Sequence, residues 1–377
     1  MNTPSPKRAS RQPGFTLVEM MVALVVGMLV LFGVGQIFFK TKHAAILQEE
    51  LARMQENSRY ALQLLGSEIR NAGYLGCRHA SNIDAAYIDT SGSYSDNFAL
   101  AVEGYEAAGT APGDSFTLGS STASWSGGNA TEPNLTATPL GSQPLTPGSD
   151  IIVVRYAHGA GLELAREKQN DSDVIVTNTT TESNGCNGGG VRYSGLCPGD
   201  QVLISDCERV RSFTIGTLAL NSGELTVTDS SGAHWVGEHN STIPFTIADS
   251  SLYEGRTIAF FIRNDNATPP QPALYRKIGN GAAQELVTGV ENMQIVYGED
   301  TDGDGVPNQY LSADRVGDFT NVVSARIGLV LRTSRESARH SGKTKHLSVL
   351  STTITIPGDR FPRRVFTSTI QLRNPRE

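Results

Sequence analysis

The segment Asp300-Thr301-Asp302-Gly303-Asp304-Gly305-Val306-Pro307-Asn308 sets three carboxylates at alternate positions. Acids at loop positions 1, 3 and 5 with glycine at 6 form the first half of a calcium loop. A hard divalent cation takes its oxygens from closely spaced carboxylates and carbonyls. The carbonyl of Val306 and the side chain of Asn308 would add two more. Position 12 is Leu311 rather than the bidentate glutamate, and Asp314 is the acid further on that could stand in for it. An acidic Asp-Gly turn between strands explains the same residues. Two readings therefore stand: a weak Ca2+ site suited to an extracellular module, and a turn.

Other chemistry is sparse. Gly113-Asp114-Ser115-Phe116 is similar to the nucleophile block of GDSL-type hydrolases, but the late Asp-x-x-His of those enzymes is missing. His234 and His239 flank Glu238 in the wrong order for a zinc helix. No phosphate-binding glycine loop follows a strand. The chain is therefore expected not to be an enzyme. Arg332, Arg335, Arg339, Lys343 and Lys345 form a basic run with Glu336, read as a solvated hairpin rather than a contact for DNA or lipid headgroups. A net charge of −7 gives no support for a broad nucleic-acid surface.

Four cysteines, Cys77, Cys186, Cys197 and Cys207, form no CxxC pair. All four follow the one long apolar stretch. Lys7, Arg8 and Arg11 precede it, so the positive-inside rule puts the amino terminus in the cytoplasm and the cysteines outside. Two disulfides are then expected. Of the three pairings, Cys186–Cys197 and Cys77–Cys207 are preferred; free, buried thiols remain the alternative.

These residues must be positioned by a small set of elements. Phe15 to Phe39 is apolar except for Glu19, longer than the ~20 residues a spanning helix needs. No small-residue cleavage site follows it. Leu47, Leu51, Met54, Ala61, Leu65 and Ile69 then recur at three- and four-residue steps, an amphipathic continuation ending near Asn71-Ala72-Gly73. Gly27, Gly33 and Gly35 weaken the span, which is consistent with local unwinding on assembly or with close helix packing. Beyond it, strands are expected at 150–156, 174–177, 201–205, 210–215, 224–228, 257–263, 273–278, 293–297, 322–332, 346–356 and 365–372. Loops of low complexity cover about 107–147 and 178–199. The fold class is α+β: one long amino-terminal helix on a mostly antiparallel β-sheet head.

Glu19 is the anomaly. A carboxylate within an apolar span costs several kcal/mol unless paired or near the interface. Gly14-Phe15-Thr16-Leu17-Val18-Glu19 behind a short basic leader resembles the type IV prepilin signal. That resemblance implies cleavage between Gly14 and Phe15 by a prepilin peptidase, N-methylation of Phe15, and pairing of Glu19 with the Phe15 amine of an adjacent subunit. It also gives the segments: leader 1–14, membrane or fibre-core helix 15–39, amphipathic half 40–72, head 73–377. Further pieces resemble the PilW family of minor pilins: Asn57-Ser58-Arg59-Tyr60-Ala61-Leu62, Ile69 to Cys77, Leu274-Tyr275-Arg276, Leu286 to Glu291, and Val365 to Asn374. The resemblance implies a type IV pilin-like fold, residence in the bacterial inner membrane with a periplasmic head, and later a place in the surface pilus. Implied partners are other minor pilins, the major pilin, the prepilin peptidase, the inner-membrane assembly platform and a tip adhesin. The J-type minor pseudopilins of type II secretion are the nearest competitor; a membrane-anchored periplasmic enzyme is the alternative from another class.

Overall fold

A computed structural model of the chain describes residues 14, 16–76, 96–121, 124–128, 144–166, 173–186, 189–206, 210–231, 249–265, 268, 270–279, 281–337, 340 and 342–373. Among the described residues there is one α-helix, α1 (Leu17–Asn71), and the chain divides into two compact units, Met1–Arg53 and Met54–Glu377.

In the first unit, α1 runs unbroken through Gly27, Gly33 and Gly35, and a Cβ at any of the three would meet nothing within 4 Å. Its apolar residues from Leu17 to Phe39 are exposed. An 18-residue window there reaches a mean hydropathy of 2.6 with none of it buried, and length and composition alone make it able to cross a membrane.

The second unit takes the end of α1 and all the strands. Met54, Ala61, Leu65, Ile69 and Ala72 are buried, the apolar stripe of a helix facing a core. The helix stops where expected: Gly73 adopts φ +78°, which favours glycine, and its N–H donates to the carbonyl of Arg155.

The described residues then form nineteen strands: β1 (Val102–Ala107), β2 (Ser115–Thr117), β3 (Trp125–Ser126), β4 (Ile151–Glu163), β5 (Asp173–Thr177), β6 (Thr181–Glu182), β7 (Arg192–Tyr193), β8 (Gln201–Ser205), β9 (Val210–Asn221), β10 (Glu224–Asp229), β11 (Ser251–Asn264), β12 (Pro272–Ile278), β13 (Gln284–Thr288), β14 (Val290–Glu299), β15 (Gln309–Leu311), β16 (Val322–Arg332), β17 (Lys345–Val349), β18 (Thr352–Ile356) and β19 (Arg363–Gln371). A ten-stranded sheet runs β3-β1-β4-β11-β8-β9-β10-β5, with β12 beside β11 and β13 beside β12. A four-stranded sheet runs β15-β14-β16-β19. The smaller sheets are β17-β18-β2 and β6-β7. Among the described residues, every strand pairing is antiparallel except β18 with β2. The mostly antiparallel head expected from the absence of strand–helix alternation is therefore present. The loops expected at 107–147 and 178–199 hold β2 and β3, and β6 and β7.

Strand β11 organises the large sheet. It lies along β4 from Ser251 to Phe260, while its other edge takes β8 over Ser251–Glu254 and β12 over Ile258–Asn264. Tyr105, Ile151, Val153, Ala259, Phe261 and Tyr275 form one core cluster across these strands. The two large sheets are stitched by polar side chains. Asp150 accepts the N–H of Ile295 at 2.8 Å, and Asn292 and Gln294 both donate to the carbonyl of Gly148.

Candidate functional site

At the amino end, Thr16 precedes the first helical residue and Glu19 sits three positions on. Glu19 Oε2 accepts the Thr16 N–H and hydroxyl, both at 3.0 Å, and Thr16 Oγ1 accepts the Glu19 N–H at 3.3 Å. That reciprocal arrangement is a capping box. Both bonds to the carboxylate fall on Oε2, so Oε1 faces outward without a partner among the described residues. One short motif thus starts the helix and presents a charge. Gly14 has nothing within 4 Å of a built Cβ, while Phe15 lies outside the described residues.

The acidic loop gathers as its spacing suggests. One oxygen each from Asp300, Asp302 and Asp304 lie within 4.8 Å of one another, with Asp300 covered and the other two exposed. Asp300 accepts N–H bonds from Asp302, Gly303 and Gly305. Its partial burial raises the carboxyl, but the Gly305 and Gly303 N–H groups outweigh that and hold it below the ordinary carboxylate range. Asn308 Oδ1 already takes the N–H and hydroxyl of Thr301, at 2.6 and 3.1 Å, so it acts here as a loop fastener. Val306 is exposed. The three aspartates are brought together; the two supplementary oxygens are not shown joining them.

Cys186 is joined to Cys197, with their Cα atoms 5.7 Å apart. Cys77 and Cys207 fall outside the described residues, as do His234, His239 and Arg339. Ser115, the hydrolase-like serine, begins a short strand whose partner is Thr353. The basic run is partly structural: Arg332 stacks on Phe361 at 4.7 Å and lies 3.6 Å from Glu291, and Lys345 contacts His340.

Sequence reading missed a buried polar seam beside β1. Arg155 and Glu103 pair at 2.5 Å with both side chains wholly buried. Nearby, the Thr110 hydroxyl lies 3.0 Å from Glu106 Oε1, 3.4 Å from Asp150 Oδ1 and 2.8 Å from the Ala107 carbonyl. One hydroxyl proton faces three acceptors, which sets the two buried carboxyls against each other over a single donor. Burial pushes Glu106 up to about 7, reinforced by the charges of Asp314 and Asp114 against the Thr110 bond. Burial and the Glu106 charge also raise Asp150. Tyr297 is raised by burial and these acids, and its hydroxyl has no hydrogen-bond partner among the described residues. The only sequence signal was the presence of two glutamates in a short stretch with Tyr105 and Val102.

A capped, exposed apolar helix with a single acid at its start, continuing into a mostly antiparallel head, defines a type IV pilin-like α+β protein. Residues 9–35 match the prokaryotic N-terminal methylation motif. Residues 259–374 match the PilW family model, described as Type IV Pilus-assembly protein W. The chain thus carries a PilW region, from the middle of β11 through β19, behind a methylation motif. Neither match includes 57–62 or 69–77, which also carried the resemblance. No curated protein and no solved structure matches the chain.

Proposed function

We propose that the chain is a minor pilin, a structural subunit of the tip or priming complex that starts a type IV pilus and supports adhesion and twitching motility. The observation that carries this is Glu19: an acid at the start of a fully exposed apolar helix, inside a methylation motif, with one carboxylate oxygen uncommitted. Buried among neighbouring apolar helices, the new amine of Phe15 needs a counter-charge, and the free oxygen of a neighbour's Glu19 supplies it. Breaking such a pair leaves an isolated charge in a dry setting and is costly. Prepilin peptidase would cut at Gly14–Phe15 while the chain sits in the inner membrane with its head in the periplasm. Other minor pilins, the major pilin and the assembly platform are the partners on this reading, and a tip adhesin is the cargo.

The test is mass spectrometry of fibres sheared from cells. A methylated peptide beginning at Phe15 in that fraction supports a surface pilus. The same peptide confined to the envelope favours the secretion pseudopilus. A chain beginning upstream of Gly14 in every fraction overturns both. Glu19→Gln separates the two roles of the residue: glutamine still closes a capping box but carries no charge, so assembly lost in this variant is lost through charge.

The convergence of Asp300, Asp302 and Asp304 favours a second, subsidiary reading, in which the β14–β15 loop takes Ca2+. Calcium, and not magnesium, should then raise the melting temperature of the native chain and leave the Asp302→Asn/Asp304→Asn variant unmoved. An equal response in both proteins leaves the loop as a turn.

A further inference from the structure

A cavity of about 400 Å³ opens beside the Cys186–Cys197 disulfide. That is toward the low end for small-molecule sites, ~300–1,000 Å³. Its walls come from four places. The disulfide loop brings Arg192; the turn before β8 brings Gly199 and Asp200. Strand β11 brings Glu254 and Thr257, and the end of β12 brings Ile278.

The charges in this cavity are not mutually satisfied. Glu254 is engaged by Arg256, with both pairs of atoms at 3.1 Å. Asp200 Oδ2 accepts the Cys197 N–H at 2.8 Å, which leaves its other oxygen for the cavity. Arg192 has a buried Nε with no hydrogen-bond partner among the described residues. Burial raises the Asp200 carboxyl and the Glu254 charge adds to this, against the Cys197 N–H and the nearby Arg192 charge, and among the described residues no hydrogen bond joins Asp200 to Arg192. A buried donor without a partner is costly. A guanidinium and a carboxylate on one small cavity, each incomplete, call for a guest that completes both.

We propose that this cavity binds a small zwitterion, an amino acid or dipeptide, whose carboxylate takes the Arg192 guanidinium and whose ammonium takes Asp200. A planar guanidinium fork suits a carboxylate. Ile278 offers apolar surface for a side chain or methylene. Glycine at 199 keeps its wall thin, and its φ of +88° would strain any other residue there. The disulfide holds the Arg192 segment as one wall, so the site depends on its oxidised state. Nothing in this reading requires the pilin assignment.

The experiment is isothermal titration of the purified full chain in mild detergent. The probes are glycylglycine and the twenty standard amino acids, with acetate and methylammonium as single-charge controls. At least one zwitterionic probe should bind with a Kd of about 1 mM or tighter, and each single-charge control about tenfold more weakly. Arg192→Gln and Asp200→Asn should each weaken the binding about tenfold without shifting the melting temperature, and Arg192→Lys should restore part of it. Asparagine retains an oxygen for the Cys197 N–H, so Asp200→Asn tests charge and not the turn. Absence of binding by every probe overturns the proposal. So does binding that survives both variants, or acetate binding as tightly as the best zwitterion.

Discussion

Replacing Glu106 by glutamine should make the chain more stable at alkaline pH and leave it nearly unchanged at acid pH. Glu106 is 4 % exposed and Asp150 2 %. Both crowd one Thr110 hydroxyl, with Asp114, Asp314, Glu103, Tyr105 and Tyr297 as the surrounding titratable groups. Asp150 receives the N–H groups of Ala107 and Ile295, so it is the better seat for a negative charge, and Glu106 the better seat for the proton. The folded value of Glu106, about 7, stands above its ordinary 4.5. The folded state therefore holds this proton more tightly than the unfolded chain does. Its stabilising contribution is complete below about 4.5 and disappears as pH rises through about 7. At about 1.36 kcal/mol per pH unit, the gap corresponds to about 3 kcal/mol. Glutamine is neutral at every pH and removes this loss. Urea unfolding of the full chain in mild detergent, in a Trp235→Phe background so that Trp125 is the one fluorescent indole, measures it directly. The Trp125 indole donates to the Ser149 carbonyl at 2.8 Å, next to Asp150, so it reports on this seam. From pH 5 to 8 the native chain should lose about 2.5 kcal/mol relative to the variant. Parallel profiles, or a variant weaker at pH 8 than at pH 5, would refute the shared-proton argument.

Other outcomes follow from the same packing. Glu103→Ala leaves the Arg155 guanidinium in a wholly buried setting and should cost about 3–5 kcal/mol by denaturant unfolding, whereas the exposed Glu49–Arg53 pair should be worth less than about 0.5 kcal/mol when Arg53 is removed. Gly148→Ala should destabilise the head by more than about 2 kcal/mol, because a Cβ there would meet the Phe116 ring at 2.1 Å on a backbone with φ +74°; an unchanged melting temperature would mean that the ring moves aside freely. For the remaining cysteines, Leu75 packs with Leu203 and Val210 in one cluster, and a Cβ on Gly76 would come 2.9 Å from that of Ser205. We therefore expect non-reducing peptide mapping to recover Cys77 linked to Cys207, and a mixed or free-thiol pattern would count against that pairing.

The parts of the fold that could be read from sequence are those where one physical pattern dominates. The helix stripe from Met54 to Ile69 and its stop at Gly73 follow from periodicity and from the left-handed conformation that glycine permits. Strand β16 is a dense apolar run, and its bounds match the expectation residue for residue. Strand β1 escaped because its six residues, all buried, include Glu103 and Glu106; a charged residue in a strand argues for exposure unless its partner is known, and Arg155 and Asp150 lie more than forty residues on. Residues 346–356 read as one strand but form the β17–β18 hairpin. Its turn is made by Leu350 and Ser351 at φ +48° and +72°, residues that carry no turn signal. The methylation motif and the gathering of the acidic triplet were legible because both lie in local spacing. The cavity with Arg192 and Asp200 was not, because its walls are assembled from four separated segments.

The single parallel pairing has a consequence for how the protein is made. Strand β2 gains its strand partner only when β18 arrives, and Phe116 and Leu118 lie in one cluster with Val330, Val349, Ile354 and Ile356. At about 5–20 residues per second, a ribosome takes roughly 10 to 50 s to travel from the codon for Leu118 to that for Ile356. For that interval the nascent chain carries an unfinished apolar surface, and the N–H of Arg373 reaches the carbonyl of Arg70 only at the end. The head therefore closes last to first, with its final residues fastening its earliest ones. A chaperone that holds the growing chain has a defined task, and a premature stop anywhere before β18 yields a product in which β2 lacks its strand partner.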